Sequence, residues 1–130
     1  MTTSTEEAMG RFDEGMAMRR RVLGDAHVDQ ATQRASDLDR VFQEWITESI
    51  WGGIWSRDGL DVKTRSMITI AVLASLGSDE LELHLKAARN TGVSLEEIAE
   101  ILLHVTAYAG APAGNRAFRM AKSIYEEDQQ

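Results

Sequence analysis

The residue best placed for acid-base chemistry is His84, one of three histidines in the chain. It follows the most apolar stretch of the sequence, Thr64 to Leu76, and stands among leucines in the next predicted helix. Because an imidazole titrates near neutral pH, it can donate or accept a proton in a cleft. A partly buried histidine bonded to a backbone carbonyl would give the same pattern, and neither spacing nor neighbours decide between the two.

His104 and Tyr108 form a second candidate pair, because residues four positions apart share one face of a helix. With His84 they could surround one pocket, whereas a contact between subunits would also account for such a face. Histidines from two helices raise the question of a metal ion. The chain lacks a His-Glu-x-x-His pattern, and Glu100 is the one obvious helical carboxylate near His104. We therefore predict no metal site.

A third candidate group combines a carboxylate with indoles. Trp45, Glu48 and Trp51 fall on one helical stripe, and Trp55 follows. A carboxyl group in apolar surroundings is easier to keep protonated, which would make Glu48 a second acid or base. The alternative is that the tryptophans are core residues and Glu48 is solvated beside them. We accept that alternative for two of the three tryptophans.

Two arginines precede or open the apolar stretch. Arg65 begins it and Arg57 lies in the turn before it. A guanidinium at this place can bind a substrate carboxylate through two parallel hydrogen bonds. An internal salt bridge to Asp61 or Glu80 would explain Arg65 equally well.

Composition limits the remaining possibilities. With 130 residues, 43% hydrophobic and 27% charged, we expect one folded domain spanning 1–130. A formal net charge of -7 disfavours nucleic acid and anionic membranes as partners. The chain has no cysteine, which excludes disulfides and thiol chemistry. The N-terminus has no signal-peptide pattern and the longest apolar run, Met67 to Leu76, is too short for a bilayer, so we expect a cytoplasmic protein.

The elements that would position these residues are helices. One proline and few β-branched runs favour an all-α fold of about six helices. The first has a thin apolar face set against Arg11, Arg19 and their neighbours, so residues 1–30 are expected to lie on another subunit. The segment 23–29 is expected to be a connection, and 30–35 has no clear pattern. The other predicted helices cover 36–51, 64–76, 79–90, 94–108 and 112–126, with Gly92 ending one and a Ser94–Glu97 capping box opening the next.

Several motifs resemble those of the carboxymuconolactone decarboxylase family. They are Arg20 to Val28, Phe42-Gln43 with Ile46-Thr47-Glu48, Trp51-Gly52 and Trp55, Arg57 to Asp61 with Thr64-Arg65-Ser66, Glu80-Leu81 with His84, and His104 with Tyr108 to Ala113. The resemblance implies the alkylhydroperoxidase-D-like helical fold, a hexameric ring and a cofactor-free lyase of protocatechuate catabolism. Its substrate would be γ-carboxymuconolactone, an unsaturated lactone with two carboxylates, and its product β-ketoadipate enol-lactone.

The chain departs from the peroxidase branch of that superfamily, which carries Cys-x-x-Cys-x-x-x-His. Counting back from His84, Gly77 and Glu80 occupy the two cysteine positions. A thiol peroxidase is therefore excluded, because no thiolate exists to attack a peroxide.

The resemblance also implies roles for the candidates. His84 would donate the proton or contact the dienolate, with Glu48 as a second acid or base, or orienting a histidine, and His104 in support. The binding residues would be Arg65 for a carboxylate, Tyr108 for hydrogen bonding, Trp51 for an apolar wall and His27 for a neighbouring subunit's pocket. Three alternatives stay open: a related decarboxylase or proton-transfer enzyme with another small carboxylate, a non-catalytic helical assembly protein, and a metal protein.

Overall fold

The structure, a computed structural model, describes residues 4–128, with side chains for 10–127, and within that range every element is helical. The all-α prediction is therefore confirmed. Seven α-helices and one π-helix lie in the described range: α1 (Ser4–Leu23), α2 (Asp25–Arg34), α3 (Arg40–Trp45), the π-helix (Ile46–Trp55), α4 (Val62–Leu76), α5 (Leu81–Thr91), α6 (Leu95–Ala109) and α7 (Ala111–Asp128). Two compact units divide the chain after Asp61, and we call them the N-terminal unit and the C-terminal unit.

The N-terminal unit is built on a close crossing of α1 and the π-helix. A β-carbon at Gly15 would collide with the backbone carbonyl oxygen of Thr47, and one at Gly52 with that of Arg11. The two backbones can approach this closely only because both positions are glycine. The expected single helix over 36–51 is wrong, because a turn occupies 37–39 and the wider π-helix replaces the α-helix from Ile46.

The expected connection at 23–29 is also wrong, because α2 begins at Asp25. Gly24, with φ of 91°, separates α1 from α2. Val28 is fully buried and anchors the new helix. Arg20 of α1 forms ion pairs with Asp25 at 3.1 Å and Asp29 at 2.8 Å, which join the two helices at the surface.

The core of the C-terminal unit lies among α4, α5, α6 and α7. Its buried members include Ile70, Leu85, Leu102, Ala117 and Ile124, supplied by all four helices. Tight packing of α7 on α6 depends on a small residue at the contact: a β-carbon at Gly114 would overlap the side chain of Thr106. None of the helices within 4–128 is long and apolar enough to cross a membrane.

Helix α4 is less buried than its composition predicts. It buries Ser66, Ile70 and Ala74, whereas Ile68, Val72 and Leu76 are exposed, Leu76 by 74%. A helix with apolar residues on nearly every side is expected to be buried all round, and that prediction is wrong for α4. One face of α4 packs on the core and a second apolar face meets solvent.

The turns that flank α5 follow the predicted chemistry. Gly77, with φ of 66°, ends α4, and the Gly77 and Ser78 amides donate to the Ala74 and Leu73 carbonyls. These paired bonds define a Schellman motif. Gly92 ends α5 in the left-handed conformation, and the Ser94–Glu97 capping box opens α6. Both of those predictions are confirmed.

Candidate functional site

His84 lies on the core-facing side of α5. His84 is 9% exposed, and Leu81, Leu85 and Ala88 of the same helix are also buried. These positions recur at three and four residues, so the imidazole belongs to the face that packs on the unit's core. An imidazole so enclosed meets little water.

A direct hydrogen bond joins α5 to α4, the helix that carries Arg65. The Thr91 hydroxyl donates to the Ser66 hydroxyl at 2.8 Å. Thr91 is seven residues, or about two helical turns, after His84, so both lie on the same side of α5. Arg65 directly precedes Ser66 and is half-buried. A histidine and an arginine thus occupy two helices whose relative position is fixed by packing and by this bond.

His104 and Tyr108 contact one another on α6. Their ring centroids are 5.0 Å apart with an interplanar angle of 30°. Both residues are exposed, Tyr108 by 83%, whereas Ile98, Ile101, Leu102 and Val105 of the same helix are buried. The sharing of a face is borne out. A pocket shared with His84 stays a prediction.

Glu48 lies in the π-helix and carries an ion pair. Its carboxylate is 3.3 Å from the Arg11 guanidinium, and both side chains are partly exposed. The surroundings are therefore more polar than the stripe of indoles predicted. Trp51 and Trp55 are buried, and their stacked rings have centroids 4.9 Å apart, in agreement with the interpretation of two tryptophans as core residues. Trp45, by contrast, is 57% exposed.

His27 lies in α2, within the segment expected to be a connection. Its side chain is half-buried, and it directly precedes the fully buried Val28. The helix gives His27 a fixed position in the N-terminal unit. Its reach to another subunit stays a prediction.

Sequence analysis missed the most deeply buried charge described in the N-terminal unit, Arg19. The residue is 6% exposed, and burial lowers the pKa of its guanidinium below the usual value. Its Nη1 donates to the Thr47 hydroxyl at 3.3 Å and its Nη2 to the Gln43 side-chain oxygen at 2.9 Å. A signal was present: Arg19 is three residues after Met16 and three before Val22, on the apolar stripe of α1.

Three cavities of the described residues contain none of the candidates from the sequence. One of about 600 Å³ lies between α6 and α7, and its walls include Leu102, Phe118 and Tyr125. A second of about 350 Å³ lies beside Met67 and Ile101. The third, of about 210 Å³, lies in the N-terminal unit and is bordered by Arg19. Among the described side chains, no three histidine or carboxylate groups are arranged to hold a metal ion.

Comparison with known proteins gives a consistent result. The carboxymuconolactone decarboxylase family model matches residues 40–123. A 4-carboxymuconolactone decarboxylase of Acinetobacter baylyi (strain ATCC 33305 / BD413 / ADP1) is 43% identical over 118 residues, which are 90% of this chain and 88% of that protein.

Two further relatives cover less of the chain. Nitrosuccinic acid decarboxylase npaB of Metarhizium robertsii (strain ARSEF 23 / ATCC MYA-3075) is 43% identical over 103 residues, 78% of this chain and 72% of that protein. A 4-carboxymuconolactone decarboxylase of Pseudomonas putida is 50% identical over 42 residues, which are 32% of this chain and 88% of that sequence.

Proposed function

This chain belongs to the carboxymuconolactone decarboxylase family, and we propose from that membership that it is a carboxy-lyase converting γ-carboxymuconolactone, also called 4-carboxymuconolactone, to β-ketoadipate enol-lactone and CO2. The observation that carries the proposal is the 43% identity to a 4-carboxymuconolactone decarboxylase across 90% of this chain. The reaction belongs to the β-ketoadipate pathway of protocatechuate catabolism.

The substrate supplies its own electron sink. The departing carboxylate sits on the saturated ring carbon next to the ring oxygen, and that carbon is bonded to an alkene that is conjugated with the lactone carbonyl. When the carbon–carbon bond to CO2 breaks, its electron pair moves through the alkene towards the lactone carbonyl. The carbonyl oxygen then carries the negative charge of the resulting dienolate. Protonation of the carbon next to the carbonyl then gives the enol-lactone. The protein therefore needs to orient the substrate, stabilise the oxyanion and supply one proton.

We assign the proton, or the contact to the dienolate oxygen, to His84. Its enclosure on α5 supports this role, because a proton held away from water is delivered to the ring and not exchanged with solvent. Arg65 on the adjoining helix would bind a substrate carboxylate. Its half-buried position favours this role, because a charge-assisted hydrogen bond is stronger where less water competes.

The remaining candidates take supporting roles in the proposal. Glu48, with Arg11 as its cation, would act as a second acid or base, or orient a histidine. The stacked His104 and Tyr108 would supply hydrogen bonds from an exposed face, and Trp51 an apolar wall. His27 would contribute to a neighbouring subunit's pocket.

The experiment that tests the function is incubation of the purified chain with γ-carboxymuconolactone. Loss of the lactone, formation of the enol-lactone and release of CO2 should occur in equal amounts, and chelator treatment should leave the rate unchanged. An intact lactone after prolonged incubation with a folded sample would contradict the proposal.

A second candidate function rests on the fungal relative. Nitrosuccinic acid, in that relative's name, is also a dicarboxylate whose carbanion is stabilised within the substrate, in its case by a nitro group. The same residues could serve either decarboxylation, since neither demands an external electron sink. A competition assay with both substrates, scored by kcat/KM, separates the two functions.

We further propose a single domain over 1–130 that assembles as a hexameric ring in the cytoplasm, with the N-terminal helix packing on a neighbouring subunit. Exposed apolar residues in both units support an assembly, because monomers rarely present such faces to water. Light scattering coupled to size exclusion measures the subunit number directly.

A further inference from the structure

Among the described residues, the buried Arg19 guanidinium donates only to neutral acceptors. Of its five N–H groups, one donates to Thr47 and one to Gln43. Its Nε–H has no acceptor among the described atoms, and Arg19 takes part in none of the ion pairs found among the described residues. A buried charge with neutral partners is costly, because desolvation is not offset by an opposite charge. Among the described side chains, Arg19 is therefore a buried cation without an anionic partner.

The cavity beside Arg19 has the size and lining of a small ligand site. Its volume is about 210 Å³, below the ~300–1,000 Å³ typical of drug-sized ligands, so it suits a small metabolite. Phe12 and Met16 supply apolar wall, and Gln43 and Thr47 also border it. The charged groups along the cavity are Arg19, Arg40 and Glu44, which leave one positive charge in excess.

The neighbouring groups leave Arg19 available to a ligand. Arg40 pairs with Asp37 at 3.3 Å in an exposed contact, and Glu44 is exposed. Gln43 accepts from Arg19 through its side-chain oxygen, so its amide nitrogen can donate. The Thr47 hydroxyl donates to the Gln43 backbone carbonyl at 2.8 Å, which holds it as an acceptor for Arg19. The cavity is therefore rich in donors beside a desolvated cation.

We infer that this cavity binds the carboxylate of a small organic acid, held by Arg19 with the Gln43 amide as a second donor. A carboxylate complements a guanidinium in charge and in planar shape, and two parallel bonds between them are stronger in a dry site. The inference requires no decarboxylation by this chain. It therefore stands or fails separately from the proposed function.

Titration calorimetry with succinate tests the site, with neutral succinamide as the ligand control. Arg19→Met, which keeps volume and removes charge, should weaken succinate binding by about ten- to a hundredfold, the loss expected for a charge-assisted pair. Arg20→Gln is the matched protein control, since Arg20 is adjacent but pairs with Asp25 and Asp29 at the surface. That variant should bind succinate within about twofold of the unmodified chain.

The melting temperature separates a ligand site from a structural arginine. Because Arg19 lacks a described anionic partner, Arg19→Met should melt at or above the temperature of the unmodified chain. If that variant fails to fold, Arg19→Lys decides: it keeps the charge but not the planar fork, and should weaken succinate at least about tenfold. Succinate binding that is absent, equalled by succinamide, or unchanged in Arg19→Lys would overturn the inference.

Inhibition kinetics with γ-carboxymuconolactone identify the source of the carboxylate. Competitive inhibition by succinate that Arg19→Met abolishes means that the cavity holds an arm of the substrate itself. Non-competitive inhibition abolished by the same change means that a separate acid binds there. Either pattern supports the site. Inhibition of equal strength in the unmodified chain and in Arg19→Met, together with unchanged calorimetric binding, overturns it.

Discussion

At the residue scale, His84 and Arg19 show two ways in which polar side chains become buried. His84 lies on a helix whose leucines and alanines are buried around it. The sequence predicts these apolar surroundings, because apolar residues three and four positions from His84 define one face of the helix. Arg19 was placed on the polar side of α1, because it precedes two further arginines. Its burial depends on Gln43 and Thr47, which are distant in sequence and therefore invisible to local pattern.

Replacing His84 with Ala should lower kcat by about two to four powers of ten, because the proton donor is lost. Circular dichroism should show an unchanged helix content. Lys86→Ala on the same helix is the control, since Lys86 is exposed and pairs only with Glu82 among the described groups. A folded His84→Ala variant with full turnover would remove His84 from the mechanism.

At the element scale, the π-helix is the part of the fold that sequence analysis could not supply. Its apolar residues recur often enough to fit a helix, but a short run does not distinguish the π from the α spacing. The two glycines at the crossing are visible in the sequence, but Gly15 and Gly52 are far apart along the chain. Only the structure shows that each faces the backbone of the other helix. By contrast, the Ser94 capping box and Gly92 are local signals and were predicted correctly.

Gly15→Ala should therefore destabilise the chain by about 1–3 kcal/mol or more, because the added β-carbon meets backbone that cannot rotate away. Gly10→Ala in the same helix is the matched control. Nothing lies within 4 Å of a β-carbon there, so the change should be neutral or stabilise by up to ~1 kcal/mol. Urea unfolding of the two variants measures the difference. Equal stabilities would mean that the helices do not cross as described.

The capping box of α6 carries a pH dependence. The Ser94 backbone amide, followed by Lys63, lowers the pKa of Glu97 below its ordinary 4.5. Because the pKa is depressed in the folded state, the stabilisation is complete above pH 4.5 and disappears as pH falls through the lower folded-state value.

Glu97→Gln should accordingly lower the melting temperature at pH 7, and its difference from the unmodified chain should vanish in strong acid. Glu96→Gln removes the same charge one residue earlier and is the matched control, since Glu97 and not Glu96 bonds to Ser94. A difference for Glu97→Gln that stays constant from pH 7 into strong acid would contradict the assignment.

At the scale of the whole molecule, a second apolar face of α4 remains in water. Ile68, Val72 and Leu76 are four residues apart, so they form one exposed stripe along the helix. Composition predicted that this helix would be buried, and a single chain leaves this side open. A hexamer would explain this exposed apolar stripe, because a contact with a neighbouring subunit would bury it.

Val72→Glu should therefore dissociate the proposed assembly, because a carboxylate on the stripe would be desolvated in any contact. Val72→Ile, which keeps the same position apolar and adds no charge, is the control. Light scattering coupled to size exclusion gives the mass of each. An unchanged assembly in Val72→Glu would mean that this stripe faces water in the functional protein.

The turn after α4 also bears on whether a Cys-x-x-Cys pair could be introduced ahead of His84. Gly77, at the first cysteine position of the peroxidase motif, has φ of 66°, and a β-carbon there would meet the guanidinium of Arg116. A cysteine would need a left-handed backbone, at about 1–2 kcal/mol, and a displaced arginine. Placing a cysteine at position 77 would therefore require a strained backbone as well as a new side chain.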